Sequence, residues 1–155
     1  MSVPQIYNQW LFHGPLFQGI RRLDQLGKSG ISSLLKSSSP AEMLSGSLSG
    51  KWLIDPLTFD CALQLLLVWA RAQWGMTALP AGFRSFRRFA GPLPQDVICE
   101  IRLRPETMKR TIHSDFYFCD AATGRVLALV EDMEGACSEA LNRLAGGRVM
   151  AAAGS

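Results

Sequence analysis

With 155 residues, 48% of them hydrophobic and 19% charged, the chain is about one domain long and can bury a real core without disulfides or metals, so it reads as a soluble globular domain. Its 16 Lys+Arg against 13 Asp+Glu leave a net charge of only +3, scattered or paired as in Arg21-Arg22 and Arg87-Arg88, with no basic run to track a phosphate backbone; nucleic acid is excluded as an expected partner. Cys61, Cys99, Cys119 and Cys137 are far apart and lack the CxxC or Cys/His spacing of a zinc site, so no metal is expected and they read as buried free thiols of a reducing cytoplasm.

The N-terminus lacks a basic stretch followed by an apolar core, so no signal peptide and a cytoplasmic location are expected. Met1 to Gln25 opens polar, then carries Tyr7, Trp10, Leu11 and Phe12 around a Gly14-Pro15 turn, which reads as a loop-rich entry anchored in a core. Ile31 to Lys36 is a candidate strand. Ser37 to Pro40 is a polar loop, and Ala41 to Gly50 is a loop or a weak turn of helix.

From Lys51 to Trp74 the chain is almost wholly apolar. Asp55 is a plausible N-cap and Pro56 suits the first helical position, so a helix is predicted over about 56–74. Its apolar residues leave hardly any polar stripe, the pattern of a helix surrounded by protein on most sides. It is too short and too punctuated to span a bilayer, which takes ~20 apolar residues. Asp60 and Gln64 interrupt it, and an acid there must be paired, hydrogen-bonded or kept protonated.

Thr77 to Gly82 reads as a breaker cluster, Phe83, Phe86 and Phe89 alternate imperfectly with arginines in a strand, and Gly91 to Pro94 breaks the chain again. Val97 to Arg104 alternates as a half-buried strand does. Thr111 to Cys119 and Arg125 to Met133 repeat that character across an Asp120 to Gly124 hairpin loop. Ser138 to Ala145 is a short helix or an extended tail, and residues 146–155 a fraying one, which gives one domain over 1–145 and a flexible tail over 146–155. One buried helix followed by an antiparallel meander predicts an α+β chain with the sheet curled around the helix, the hotdog architecture.

Three separated features together resemble the second, C-terminal half of the double-hotdog dehydratase domains of polyketide synthases and polyunsaturated fatty acid synthases. They are His13-Gly14-Pro15-Leu16-Phe17-Gln18, similar to the family's Gly-Pro-x-Phe segment beside the site; Asp60-Cys61-Ala62-Leu63-Gln64, similar to its Asp-x-x-x-Gln/His motif; and the order of strands and breaks after the helix. The resemblance runs from about Trp10 to Leu144. It implies that Asp60 is the catalytic acid protonating the leaving β-hydroxyl of a 3-hydroxyacyl thioester, that Gln64 orients it, and that His13, Gly14, Pro15 and Phe17 adjoin the substrate. It implies no cofactor beyond the phosphopantetheine arm that carries the substrate, and as partners an acyl carrier protein, other synthase domains and a second hotdog or a second copy.

Helix geometry supports part of this independently, because positions four apart share a face and the Gln64 amide can reach the Asp60 carboxyl, while burial would favour the protonated acid. The family's His-x-x-x-Gly-x-x-x-x-Pro base motif is absent from this sequence, so the chain is expected to supply only the Asp/Gln half and to be inactive without a His-bearing partner. The competing expectation is a non-catalytic single hotdog kept for dimerisation or docking; a free-standing thioesterase or hydratase is a weaker third. His13 reads as a structural residue of its turn, His113 as a strand surface residue, the Phe set as core with some positions open to an acyl tunnel, Arg87-Arg88 as a solvated edge, and Cys61 as no nucleophile for want of a base.

Overall fold

In chain order the computed structural model, which describes residues 1–46 and 49–144, contains α1 (Val3–Gln9), a 3₁₀ turn (Pro15–Phe17), β1 (Ile20–Gly27), β2 (Gly30–Lys36), α2 (Pro40–Met43), α3 (Pro56–Trp74), β3 (Thr77–Gly82), β4 (Ser85–Arg88), β5 (Asp96–Leu103), β6 (Thr111–Asp120), β7 (Val126–Ser138) and a second 3₁₀ turn (Glu139–Leu144). The tail expected over 146–155 lies outside the described residues.

Helix α3 begins and ends where its local chemistry dictates. The Asp55 carboxylate accepts from the backbone N–H groups of Leu57 and Thr58, and Pro56 takes the position where no N–H is missed. Gly75 closes it in the left-handed conformation at φ 67°, its N–H donating back to Ala70 and Arg71. Intrinsic propensities differ by at most about 0.7 kcal/mol per ordinary residue, whereas burying one Leu is worth about 1.5–3 kcal/mol. With Leu65, Leu66, Val68 and Ala70 at or below 1% exposure, packing holds this helix.

The same Asp55 ties the helix to the loop before it. Its second oxygen accepts from the Ser38 N–H at 2.6 Å, and the Ser38 hydroxyl donates to the first at 2.9 Å. At 6% exposure Asp55 leaves none of these donors a ready substitute in solvent. Asp55→Ala is therefore expected to lose about 2–3 kcal/mol, the upper end of a capping loss, read as a lowered urea midpoint with an unchanged slope.

Seven antiparallel strands form one sheet in the order β1-β2-β5-β6-β7-β3, with β4 also on β7. Alternation sets its inner face: Val97, Cys99 and Ile101 on β5 and Ile112, Phe116 and Phe118 on β6 turn towards α3 and are almost fully buried. The thirteen-residue β7 pairs with β4 through Ala128 to Glu131 and with β3 through Glu134 to Ser138. Between those segments Asp132 takes φ 51°, and the register to β6 slips between Ser114 and Phe116. Such a bulge bends a strand, and here it curls the sheet about the helix. The Asp132 carboxylate is held there by His113 Nδ1 at 2.8 Å and Arg84 at 2.9 Å, while its N–H donates to Asp115. The hydrogen bond with His113, supported by Arg104 and Arg84, pulls the Asp132 pKa below the usual carboxylate range. The fold is the hotdog, α+β, as expected from the single buried helix.

Two local expectations are corrected. Thr77 to Gly82 is an edge strand: Pro80 is tolerated because a strand at the sheet border needs no N–H on its open side. The entry is not loop-rich; it holds a capping-boxed helix, Ser2 with Gln5, and an edge strand whose residues after Ile20 are mostly exposed. Arg87 and Arg88 are exposed on β4 as expected of a solvated edge, and the Arg88 guanidinium also donates to the carbonyls of Trp52 and Leu53 at 3.3 Å each.

Candidate active site

The entry segment crosses the first turns of α3, and this brings together residues from two distant stretches. Pro15 opens the 3₁₀ turn, whose Phe17 N–H donates to the Gly14 carbonyl at 2.9 Å. Gly19 then lies flat on the helix: a Cβ there would sit 2.9 Å from Cys61 Sγ and 3.0 Å from Leu57 Cδ1. Tyr7 secures the crossing from below by accepting the Ile20 N–H at 3.0 Å. Residue by residue the sequence names the Gly14-Pro15 turn but gives no sign that Gly19 is the close contact; a glycine facing a buried helical cysteine is visible only in three dimensions.

On the helix, Gln64 Nε2 donates to Asp60 Oδ2 at 2.7 Å and to the Phe17 carbonyl at 2.8 Å. The Phe17 carbonyl can only accept, so the amide sits with its nitrogen towards it and towards Asp60. Gln64 is 1% exposed, and its Oε1 is buried with no donor. The predicted pair Asp60 and Gln64 is thus in contact, and Phe17 joins it through its backbone carbonyl. Gly14 and Pro15 shape the turn.

His13 comes to the same carboxylate. Its Nε2 is 3.6 Å from Asp60 Oδ2, its ring stacks on Phe12 at 4.4 Å, and its Nδ1 is buried without a partner. Burial pushes the imidazole pKa below its ordinary value, and the Asp60 charge opposes that only in part. The side chains of His13 and Asp60 are 17% and 32% exposed. Asp60 is thus only part-buried: the entry segment covers Gln64 completely and leaves the outer side of the carboxylate to solvent. His113 lies elsewhere, with its ring on Asp132 across the β6–β7 bulge. Burial raises the Cys61 thiol pKa to about 12, so this thiol is not a nucleophile at neutral pH.

On the neighbouring face of α3 opens a cavity of about 340 Å³ whose walls include Lys36, Trp52, Phe59, Phe86, Arg88 and Phe118. Phe86 of the aromatic set lines it, and Phe59 meets Phe86 and Phe83 edge-on at 6.4 and 6.0 Å. Neither Asp60 nor His13 lines it. Among the described residues no group of three or more His, Cys, Asp or Glu is placed to hold a metal ion, and no helix is long and apolar enough to cross a membrane.

Residues 4–145 match the family model described as polyketide synthase dehydratase N-terminal domain. A 95-residue stretch is 32% identical to one of the subunits of the polyunsaturated fatty acid synthase of Thraustochytrium sp.; it takes in 61% of this chain and 3% of that protein. Among solved structures, an inactive mutant of the CurK dehydratase superposes with a TM-score of 0.70 at 20% identity, covering 94% of this chain and 50% of that one. The dehydratase domain of PpsC from Mycobacterium tuberculosis, solved with C12:1-CoA, gives 0.64 at 22% identity over 89% of this chain and 52% of that one. These superpositions bear on the fold, and the chain spans about half the length of the structures it resembles.

Proposed function

We propose a dehydratase role from a plain premise: the chain belongs to the polyketide synthase dehydratase N-terminal domain family. The proposed reaction removes water from a 3-hydroxyacyl thioester carried on the phosphopantetheine arm of an acyl carrier protein, within a polyketide or fatty acid synthase and without a further cofactor. Asp60 delivers a proton to the departing β-hydroxyl, and Gln64 fixes the carboxyl that delivers it. The observation that carries this is the double donation of Gln64 to Asp60 and to the Phe17 carbonyl, which locks one carboxyl oxygen and leaves the other side of the acid open. The acyl chain is assigned to the neighbouring cavity, along the apolar part of its mixed wall formed by Phe59, the residue before Asp60, with Phe86 and Phe118. His13, Gly14, Pro15 and Phe17 form the wall over the acid. Although the matching family is described by an N-terminal domain, the Asp-x-x-x-Gln pair and the Gly-Pro-x-Phe segment support placing this chain as the second hotdog of a pair. The test is conversion of a 3-hydroxyacyl pantetheine thioester to the enoyl thioester by the full-length protein, with Asp60→Asn alongside. Equal turnover by the variant would instead favour the non-catalytic hotdog.

Pairing with another hotdog is part of this proposal. The two sheet borders differ: β1 carries the charged Arg21, Arg22 and Asp24, whereas β3 reads Thr-Ala-Leu-Pro-Ala-Gly, with Pro80 against strand addition but no charge, and runs into the exposed Phe83, a surface suited to side-chain packing. The β3–β4 border is the side assigned to the second hotdog or a second copy. Light scattering of the chain is expected to give a dimer at micromolar concentration, and a strictly monomeric species would contradict it.

A further inference from the structure

We propose that Trp52 is the end wall of the acyl cavity and sets the longest chain it takes, with Arg88 as the residue that positions it; this rests on the acyl-thioester function proposed above and on its assignment of the chain to that cavity. The floor of the cavity is one row of the sheet. Arg88 of β4 pairs with Ala128 of β7, and Ala128 with Phe118 of β6; Phe118 and Ala128 both line the cavity and are 3% exposed. Facing that row across the cavity, residues 51–54 form a strap that leads into α3. The strap is fastened on two sides. Just past the end of β2, the Ser38 hydroxyl accepts from Trp52 Nε1 at 3.2 Å and itself donates to the Asp55 cap at 2.9 Å. From β4, the Arg88 guanidinium donates to the Trp52 and Leu53 carbonyls at 3.3 Å each. Strands β5, β6 and β7 lie between β2 and β4 in the sheet, so the two fastenings span the trough.

Leu53 and Ile54 are 79% and 44% exposed, so hydrophobic burial adds little to hold the strap, and the hydrogen bonds of the indole and the guanidinium fix it. The indole closes the trough with a large, rigid body that has only two side-chain torsions to immobilise. A chain that starts beside Asp60 and runs along Phe59 and Phe86 over Phe118 meets this closed end. Each methylene buried on the way strengthens binding about fourfold, whereas one pressed against the wall gains nothing or must displace it. The Arg88 bonds are long and the side chain is exposed, so truncating it loosens the strap without leaving a buried charge unpaired.

The experiment uses the full-length protein and two ligand series of rising length, butyryl to hexadecanoyl: saturated acyl pantetheine amides followed by calorimetry, and 3-hydroxyacyl pantetheine thioesters followed by turnover. Wild-type affinity for the amides is expected to rise about fourfold per methylene up to a break and to gain nothing beyond it. Trp52→Ala and Trp52→Leu are expected to move the break outward by about two carbons or more, into the space the indole leaves, and Trp52→Phe to move it least. Arg88→Ala is expected to move it the same way, seen with the thioesters as a fall in KM, not a rise in kcat, for chains beyond the wild-type break. Trp52→Leu and Arg88→Ala decide the outcome if Trp52→Ala does not fold. A break at one and the same length in wild type, Trp52→Leu and Arg88→Ala overturns the proposal. So does a loss of affinity spread evenly over all lengths, which marks Trp52 as a structural residue. Wild-type affinity that does not climb with length overturns both the end wall and the assignment of the acyl chain. A break that moves as expected while the wild type turns over no thioester is a failure of the dehydratase reading and leaves the end wall standing.

Discussion

Asp60→Asn in the full-length protein is expected to lower kcat for dehydration by about 10²–10⁴-fold, with a melting temperature close to wild type. The asymmetry follows from what the side chain touches. Asparagine keeps the shape and one carbonyl-type acceptor, so the donation from Gln64 at 2.7 Å survives and the helix start is undisturbed. No buried group loses its partner, because Asp60 is 32% exposed and the caps and ties of α3 belong to Asp55. What disappears is a proton that can be given up. An amide N–H can hydrogen-bond a departing hydroxyl but cannot protonate it, and a thousandfold loss corresponds to about 4 kcal/mol of barrier. The KM is expected to change little, since the acyl chain is assigned to the Phe59 and Phe86 cavity and not to the carboxylate. A variant with lowered melting temperature and proportionally lowered activity would show Asp60 to be a structural residue.

The parts of the fold that were legible in the sequence are those whose signals are local. Asp55-Pro56 starts α3 and the apolar run carries it to Trp74, and period-two alternation with the Asp120 to Gly124 turn gives β5, β6 and β7. The border strands were not legible, for a common reason. A strand with one neighbour need not alternate, so β1 is buried mainly at Ile20, and it can hold a proline, so β3 reads as a breaker. At the site, the i,i+4 spacing of Asp60 and Gln64 predicts their contact because helix geometry alone produces it. The arrival of His13 depends on how the entry segment drapes over the helix, which Gly19 permits by lacking a side chain. That information lies in a distant contact, and no spacing encodes it. The same draping decides that Gln64 is sealed while Asp60 stays open, which a count of apolar helix positions cannot distinguish.

Gly30→Ala is expected to cost about 3 kcal/mol or more, a large share of the roughly 5–15 kcal/mol that a domain of this kind commands. Gly30 opens β2 opposite Arg102 of β5, and a Cβ on it would stand 2.0 Å from the Ile101 carbonyl oxygen and 3.1 Å from its carbon. The obstacle is backbone, so no rotamer change relieves it. β2 cannot step back, because Ile31 faces Ile101 with both side chains at most 2% exposed and the Leu103 N–H donates to the Ser29 carbonyl at 2.9 Å just beyond. Sliding by one residue would turn Ile31, Ser33 and Leu35 to solvent. Gly27, its partner across the β1–β2 turn, is the internal control: a Cβ there meets nothing within 4 Å, so Gly27→Ala should stay within about 1 kcal/mol of wild type. Urea unfolding separates the two, and equal midpoints would refute the steric account. The far end of β2 reaches the site, since the Lys36 N–H donates to the Gly19 carbonyl at 2.8 Å and the Lys36 carbonyl accepts from Thr58 on α3. A Gly30→Ala protein that still folds is thus expected to lose turnover beyond its loss of folded fraction, because displacing β2 loosens the segment that carries His13 to Asp60.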